Sequence, residues 1–174
     1  MSSALAHIPM PAVSAPTRLR LPDLLHTTDR AADEVLSGRY DRLLRDLPEH
    51  ERWYTRLHGD DELDIWLISW VPDRSTELHD HGGSIGALTV VSGALTETRW
   101  DGEALRRRSL SAGSQAAFPL GWVHDVVRAP GPVIGPTLSV HAYSPPLTAM
   151  SYYEVTPRNT LRRNRTELTD APEG

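Results

Sequence analysis

From Arg52 to Thr156 the chain is a run of short extended segments broken by Gly, Pro and Asp, and that punctuation leaves few folds open. Candidate strands fall at 52–58, 63–71, 77–81, 85–91, 94–100, 104–110, 114–118, 123–128, 137–143 and 152–156. Turns such as Gly59-Asp60-Asp61, Ser92-Gly93 and Pro130-Gly131-Pro132 separate them, and Asp101-Gly102 suits a tight hairpin. None of these segments sustains the apolar spacing of a helix. Many short strands at this spacing predict an all-β fold, an antiparallel barrel or sandwich of the jelly-roll kind. Two short helices are expected before it, at 21–36 and 40–47. Pro22 sits in the first turn of one, Gly38 follows it, and Pro48 stops the other. Residues 1–20, rich in Ala, Ser and Pro, are expected to form a disordered leader. Residues 21–156 are expected to form a single domain, and the polar residues from 157 to 174 a tail that frays.

Composition removes several classes of function. The chain has no cysteine, which excludes a disulfide framework, a thiolate metal site and a cysteine nucleophile. Any metal must therefore be held by nitrogen or oxygen. A net charge of -5 argues against nucleic acid as a partner. No apolar run approaches the ~18 residues of a membrane span, and the start of the chain lacks the pattern of a signal peptide. The expectation is a cytoplasmic monomer that acts on small molecules. All 18 basic residues are arginine, so an Arg at any one position carries little information by itself.

The chemistry is concentrated in His79-Asp80-His81-Gly82-Gly83. On an extended strand, side chains alternate faces, so His79 and His81 point to one side and Asp80 to the other. Two imidazoles aimed at one point make half of a metal site, although two surface histidines would look the same. His7, His26, His50 and His58 lie in the leader, the helices or the preceding strand; only His124 and His141 follow. Either could be the third ligand, and His141 could also be a core histidine bonded to backbone. Trp66, Ile68 and Trp70 share one strand face and read as core. Arg106-Arg107-Arg108 reads as a solvated strand.

Four motifs in order carry a resemblance. His79-x-His81 with Gly93, and Gly113-x5-Pro119-x-Gly121-x2-His124, resemble the two motifs of the cupin superfamily. Gly86 stands where many cupins have a metal-binding Glu, and Arg128 where the second motif usually ends in Asn. Tyr54-Thr55-Arg56 and Ser139-Val140-His141-Ala142-Tyr143-Ser144-Pro145-Pro146 are similar to signatures of the cysteine dioxygenase family of thiol dioxygenases. The resemblance spans residues 50 to 155 and implies a cupin barrel, the double-stranded β-helix.

It further implies Fe(II) held by His79, His81 and His124. Arg56 would bind the substrate carboxylate with help from Tyr54, and Ser139, His141 and Tyr143 would form a relay beside the metal. Animal members carry a cysteine crosslinked to the relay tyrosine; its position here is Gly86, so no crosslink can form. Three neutral ligands leave the ion's full positive charge in the site, which suits a thiolate. Metal binding depresses a thiol pKa from its free value of ~8.5. The implied reaction adds both atoms of O2 to sulfur and takes L-cysteine to cysteine sulfinate. Family members that act on 3-mercaptopropionate typically have Gln at the position of Arg56. Two other functions fit the same ligands: a metal-binding sensor without catalysis, and a Zn, Mn or Ni cupin enzyme of isomerase or hydrolytic type.

Overall fold

The computed structural model describes residues 19–132 and 134–172. One helix, α1 (Leu21–Leu36), precedes eleven strands. These are β1 (Trp53–Gly59), β2 (Asp64–Trp70), β3 (Leu78–Asp80), β4 (Ile85–Ser92), β5 (Ala94–Trp100), β6 (Leu105–Ser111), β7 (Gln115–Phe118), β8 (His124–Arg128), β9 (Thr137–Ser144), β10 (Ala149–Val155) and β11 (Leu161–Leu168). They build two antiparallel sheets, ordered β1-β2-β9-β4-β7 and β11-β10-β3-β8-β5-β6. The sheets face one another as a double-stranded β-helix without closing into a continuous barrel. No helix among the described residues is long and apolar enough to cross a membrane.

Alternation along the strands explains the layers. In β9, Leu138, Val140 and Ala142 face outward onto α1, and Ser139, His141 and Tyr143 face inward. Both faces of β9 are therefore buried over its whole length. The helix covers this sheet with Leu24, Ala31, Ala32 and Val35, each at most 7% exposed. Its start is fixed by Asp23, whose carboxylate accepts from the Arg20 backbone N–H at 2.8 Å, and by Pro22 in the first turn. The inner cluster packs Trp66, Ile68, Trp70, Leu88, Val90, Phe118 and Val126 between the sheets.

Two expectations need correction. The second helix does not form. After Gly38, at φ +86°, residues 39–46 make only single turns, such as Asp41 N–H to Gly38 O and Leu43 N–H to Tyr40 O. So short a segment nucleates poorly, and Leu43 is exposed, so it has no complete apolar face to bury. The tail does not fray: β11 pairs with β10 from Leu161 to Leu168 across a turn at Asn159. It is an edge strand, largely exposed, and so shows no apolar alternation. The leader expected at 1–20 lies, except for Leu19 and Arg20, outside the described residues.

Candidate metal centre

His79 on β3 and His124 on β8 are direct cross-strand partners, and His81 follows β3 by one residue. Directly opposed residues of an antiparallel pair point to the same side. The strand pairing thus delivers the second motif's histidine to the first motif's pair. All three rings are at most 5% exposed, and one ring nitrogen from each lies within 4.8 Å of the others. Ring centroids are 4.9 to 5.2 Å apart.

Two of the three histidines are held from behind. His79 Nδ1 lies 2.9 Å from the Glu77 carbonyl oxygen, to which it donates. His124 Nδ1 donates to Glu97 Oε1 at 2.8 Å. Glu97 sits on β5 one diagonal step from His124, fully buried, and also accepts from Trp122 Nε1 and Arg108 Nε. Asp125, next to His124, accepts from the Thr76 hydroxyl and backbone N–H and so anchors the loop into β3. Asp80 faces away from the cluster and takes the Tyr153 hydroxyl at 2.6 Å and the Gly82 N–H at 3.0 Å.

Electrostatics prepare the site for a cation. Burial pushes His81, His124 and His141 below the ordinary imidazole range, so they are neutral near pH 7. Burial alone would raise the Glu97 carboxyl, but His124 and Arg108 reverse the sign and keep it ionised. An ionised carboxylate behind a neutral ligand raises that ligand's basicity. The fit to a metal is shown by His124 Nε2: it is buried, turned away from Glu97, and has no hydrogen-bond partner. A neutral all-nitrogen donor set with an orphaned lone pair suits a transition-metal ion.

The opposite sheet supplies the second group. His141 Nε2 lies 3.0 Å from Ser139 Oγ, and His141 Nδ1 lies 3.1 Å from Tyr143 Oη. Trp70 Nε1 donates to the same Ser139 Oγ at 2.8 Å. The order that uses every hydrogen runs from the Trp70 N–H to Ser139, from the Ser139 O–H to His141 Nε2, and from the His141 Nδ1–H to Tyr143. Both ring nitrogens of His141 are then engaged, which sets it apart from His124. The Tyr143 ring lies 4.9 Å from that of His81, so the relay ends beside the candidate metal position.

Gly86 pairs with Tyr143 on one side and Phe118 on the other. A Cβ there would lie 2.9 Å from Tyr143 Cδ1 and 3.0 Å from Phe118 Cδ2. Gly86→Ala is expected to cost about 1–3 kcal/mol through overpacking. Chemical denaturation would measure it, and an unchanged midpoint would mean that the tyrosine moves freely.

Tyr54 and Arg56 share one face of β1 and reach Trp66 on β2. The Tyr54 ring meets it edge-on at 5.9 Å, and the Arg56 guanidinium stacks on it at 4.6 Å. Arg56 stands at the rim: its side chain is 41% exposed, and Nη2 donates to the Asp170 backbone carbonyl at 2.7 Å. The structure thus gathers His79, His81 and His124 in one cluster and Ser139, His141 and Tyr143 in one chain, with Tyr54 and Arg56 on the neighbouring strand. Two clefts of about 310 and 390 Å³ open elsewhere, and none of the three histidines lines either.

Sequence reasoning passed over Glu97, Trp70 and Asp64. Glu97 shares a strand face with Leu95, which marks an inward-facing charge. Trp70 had been read as core without a role. Asp64, opposite Tyr143 in register, is buried, and burial raises its pKa against the pull of the Trp66 indole, the Leu147 backbone and Arg56.

Fold and cluster together define a cupin-type protein with a three-histidine site that could bind a metal. Its fold is similar to those of many solved structures, three of which follow. One is an uncharacterized conserved protein with a double-stranded β-helix domain from Klebsiella pneumoniae (17% identity, 71% of this chain and 93% of that one, TM-score 0.50). The others are a protein from Bacillus halodurans (18%, 71% and 84%, TM-score 0.50) and one from Thermus thermophilus (17%, 60% and 92%, TM-score 0.50). The family model of cysteine dioxygenase type I matches residues 15–156, and the chain belongs to that family.

Proposed function

We propose that the protein is an Fe(II)-dependent thiol dioxygenase that converts L-cysteine to cysteine sulfinate with both atoms of O2. The observation that carries this reading is the meeting of three buried histidines with a Ser-His-Tyr chain across the core, in a chain of the cysteine dioxygenase type I family. We read it as a cytoplasmic monomer whose partners are a small thiol and O2.

His79, His81 and His124 would hold the iron. Bound there, it would supply redox chemistry and lower the pKa of a coordinated thiol. The chain's own residues supply the rest. Arg56 offers a guanidinium to the substrate carboxylate, and the Tyr54 hydroxyl stands on the same strand face. His141 donates Nδ1–H to the Tyr143 oxygen and so directs the phenolic O–H away from itself, toward the histidine cluster. The packed aromatic rings of Phe118, Trp66 and Tyr143 keep bulk water from the reacting sulfur.

Two measurements test the reading. Iron-loaded protein given L-cysteine and isotopically labelled O2 should yield a sulfinate with both labelled atoms; a single labelled atom would sink it. Arg56→Ala should raise KM for L-cysteine by roughly 10–100-fold, the worth of a charge-assisted hydrogen bond, with a smaller change in kcat. An unchanged KM in that variant would move the carboxylate site elsewhere. If the iron-loaded protein consumes no O2 with any small thiol acid, the non-catalytic sensor becomes the better account.

A further inference from the structure

We infer that residues 169–172 act as a positioning segment that holds Arg56 in place to meet the substrate carboxylate. This deepens the proposed function and rests on its reading of Arg56 as the group that meets the substrate carboxylate.

The segment is built, not trailing. After β11, the Thr169 N–H donates to the Thr148 carbonyl at 3.1 Å. The Thr169 hydroxyl then accepts from the Ala171 N–H and donates to the Ala171 carbonyl, both at 3.1 Å. This turn sends the chain inward. Ala171 packs against the inner cluster in company with Tyr54 and Trp122, and Pro172 is buried.

Two carbonyls of this segment meet two arginines. Arg56 Nη2 donates to the Asp170 carbonyl at 2.7 Å, and Arg52 Nη2 to the Pro172 carbonyl at 3.5 Å. Each guanidinium is also stacked on an indole, Arg56 on Trp66 at 4.6 Å and Arg52 on Trp70 at 4.5 Å. Arg56 is thereby fixed on two sides, with one of its five N–H donors committed to the segment. A guanidinium fixed in this way loses less freedom when it meets a carboxylate.

Magnitudes decide between positioning and competition. The Asp170 carboxylate is 3.6 Å from Arg56 Nη2 and 89% exposed, so its attraction is weak and screened. The short carbonyl contact dominates. The segment therefore orients Arg56 instead of taking the place of the substrate.

The test compares the iron-loaded parent protein, a variant lacking residues 169–174, and Asp170→Asn. In the truncated variant, KM for L-cysteine should rise about tenfold with kcat within about twofold, because binding and not chemistry is disturbed. Asp170→Asn keeps the carbonyl and should stay within about twofold of the parent in KM. A second readout needs neither iron nor activity: the rate at which phenylglyoxal labels Arg56, followed by peptide mass spectrometry. It should rise several-fold on truncation and not in Asp170→Asn. The inference is overturned if Arg56 is labelled at the parent rate after truncation, or if Asp170→Asn reproduces the KM rise. A parallel fall of kcat and iron content on truncation would also overturn it, since the segment would then be only a prop for the fold. A parent protein without thiol oxidation would end the proposed function, while the labelling would still decide whether the segment holds Arg56.

Discussion

His124→Ala should leave a folded protein that no longer retains metal. His124 is the member of the cluster that comes from the second motif, on β8, and its Nε2 is a buried nitrogen with no hydrogen-bond partner. Without it, two histidines separated by one residue remain, and two ligands do not hold an ion that must also leave positions open. The loss in metal affinity should exceed the roughly 10–100-fold typical of removing a ligand's hydrogen-bond partner, and activity should fall with it. Metal analysis after gel filtration measures the first, O2 uptake the second. His141→Ala is the informative comparison. Its two ring nitrogens already face Tyr143 and Ser139, so that variant should keep its metal and lose rate. If instead His124→Ala keeps its iron and His141→Ala loses it, the ligand set has been misassigned.

The histidines were legible because metal chemistry and strand geometry impose the same period. His79 and His81 are two apart, and so are Ser139, His141 and Tyr143. In an extended strand that spacing alone puts each set on one face. What brings the sets together is register, which the sequence does not display. The pairing of His79 with His124, and of Gly86 with Tyr143, depends on which strands become neighbours. β11 was illegible for a different reason. An edge strand exposed on both faces has no hydrophobic alternation to read, and its Arg and Glu residues look like a solvated tail. The segment at 40–47 misled in the opposite sense: Leu43, Leu44 and Leu47 have helical spacing, but the fold uses only part of that face. Arg56 shows the limit of parity. Its place on the inner face of β1 was readable, whereas the carbonyl that holds it comes from 114 residues away.

Glu97→Leu should weaken both the fold and the metal site, because one buried carboxylate serves both. Glu97 is fully buried and accepts from three donors, His124 Nδ1, Trp122 Nε1 and Arg108 Nε. Leucine has a similar bulk but offers no acceptor. Arg108, with 43% of its side chain exposed, can turn to water, and its loss costs little. His124, 1% exposed, has no such escape and the half-buried Trp122 only a partial one, and each stranded N–H costs up to about 1–3 kcal/mol. The expected destabilisation is therefore about 2–5 kcal/mol in the metal-free protein, which denaturant unfolding would read. The metal-bound form should suffer again. With no carboxylate behind it, His124 is free to adopt the other tautomer or turn its ring, and affinity should fall roughly 10–100-fold. Glu97→Gln separates the two effects. It keeps an oxygen for His124 and should recover much of the stability, but without the negative charge it should recover less of the metal affinity. Equal recovery of both would mean that Glu97 acts only through shape and hydrogen bonding, and that its charge does not tune the site.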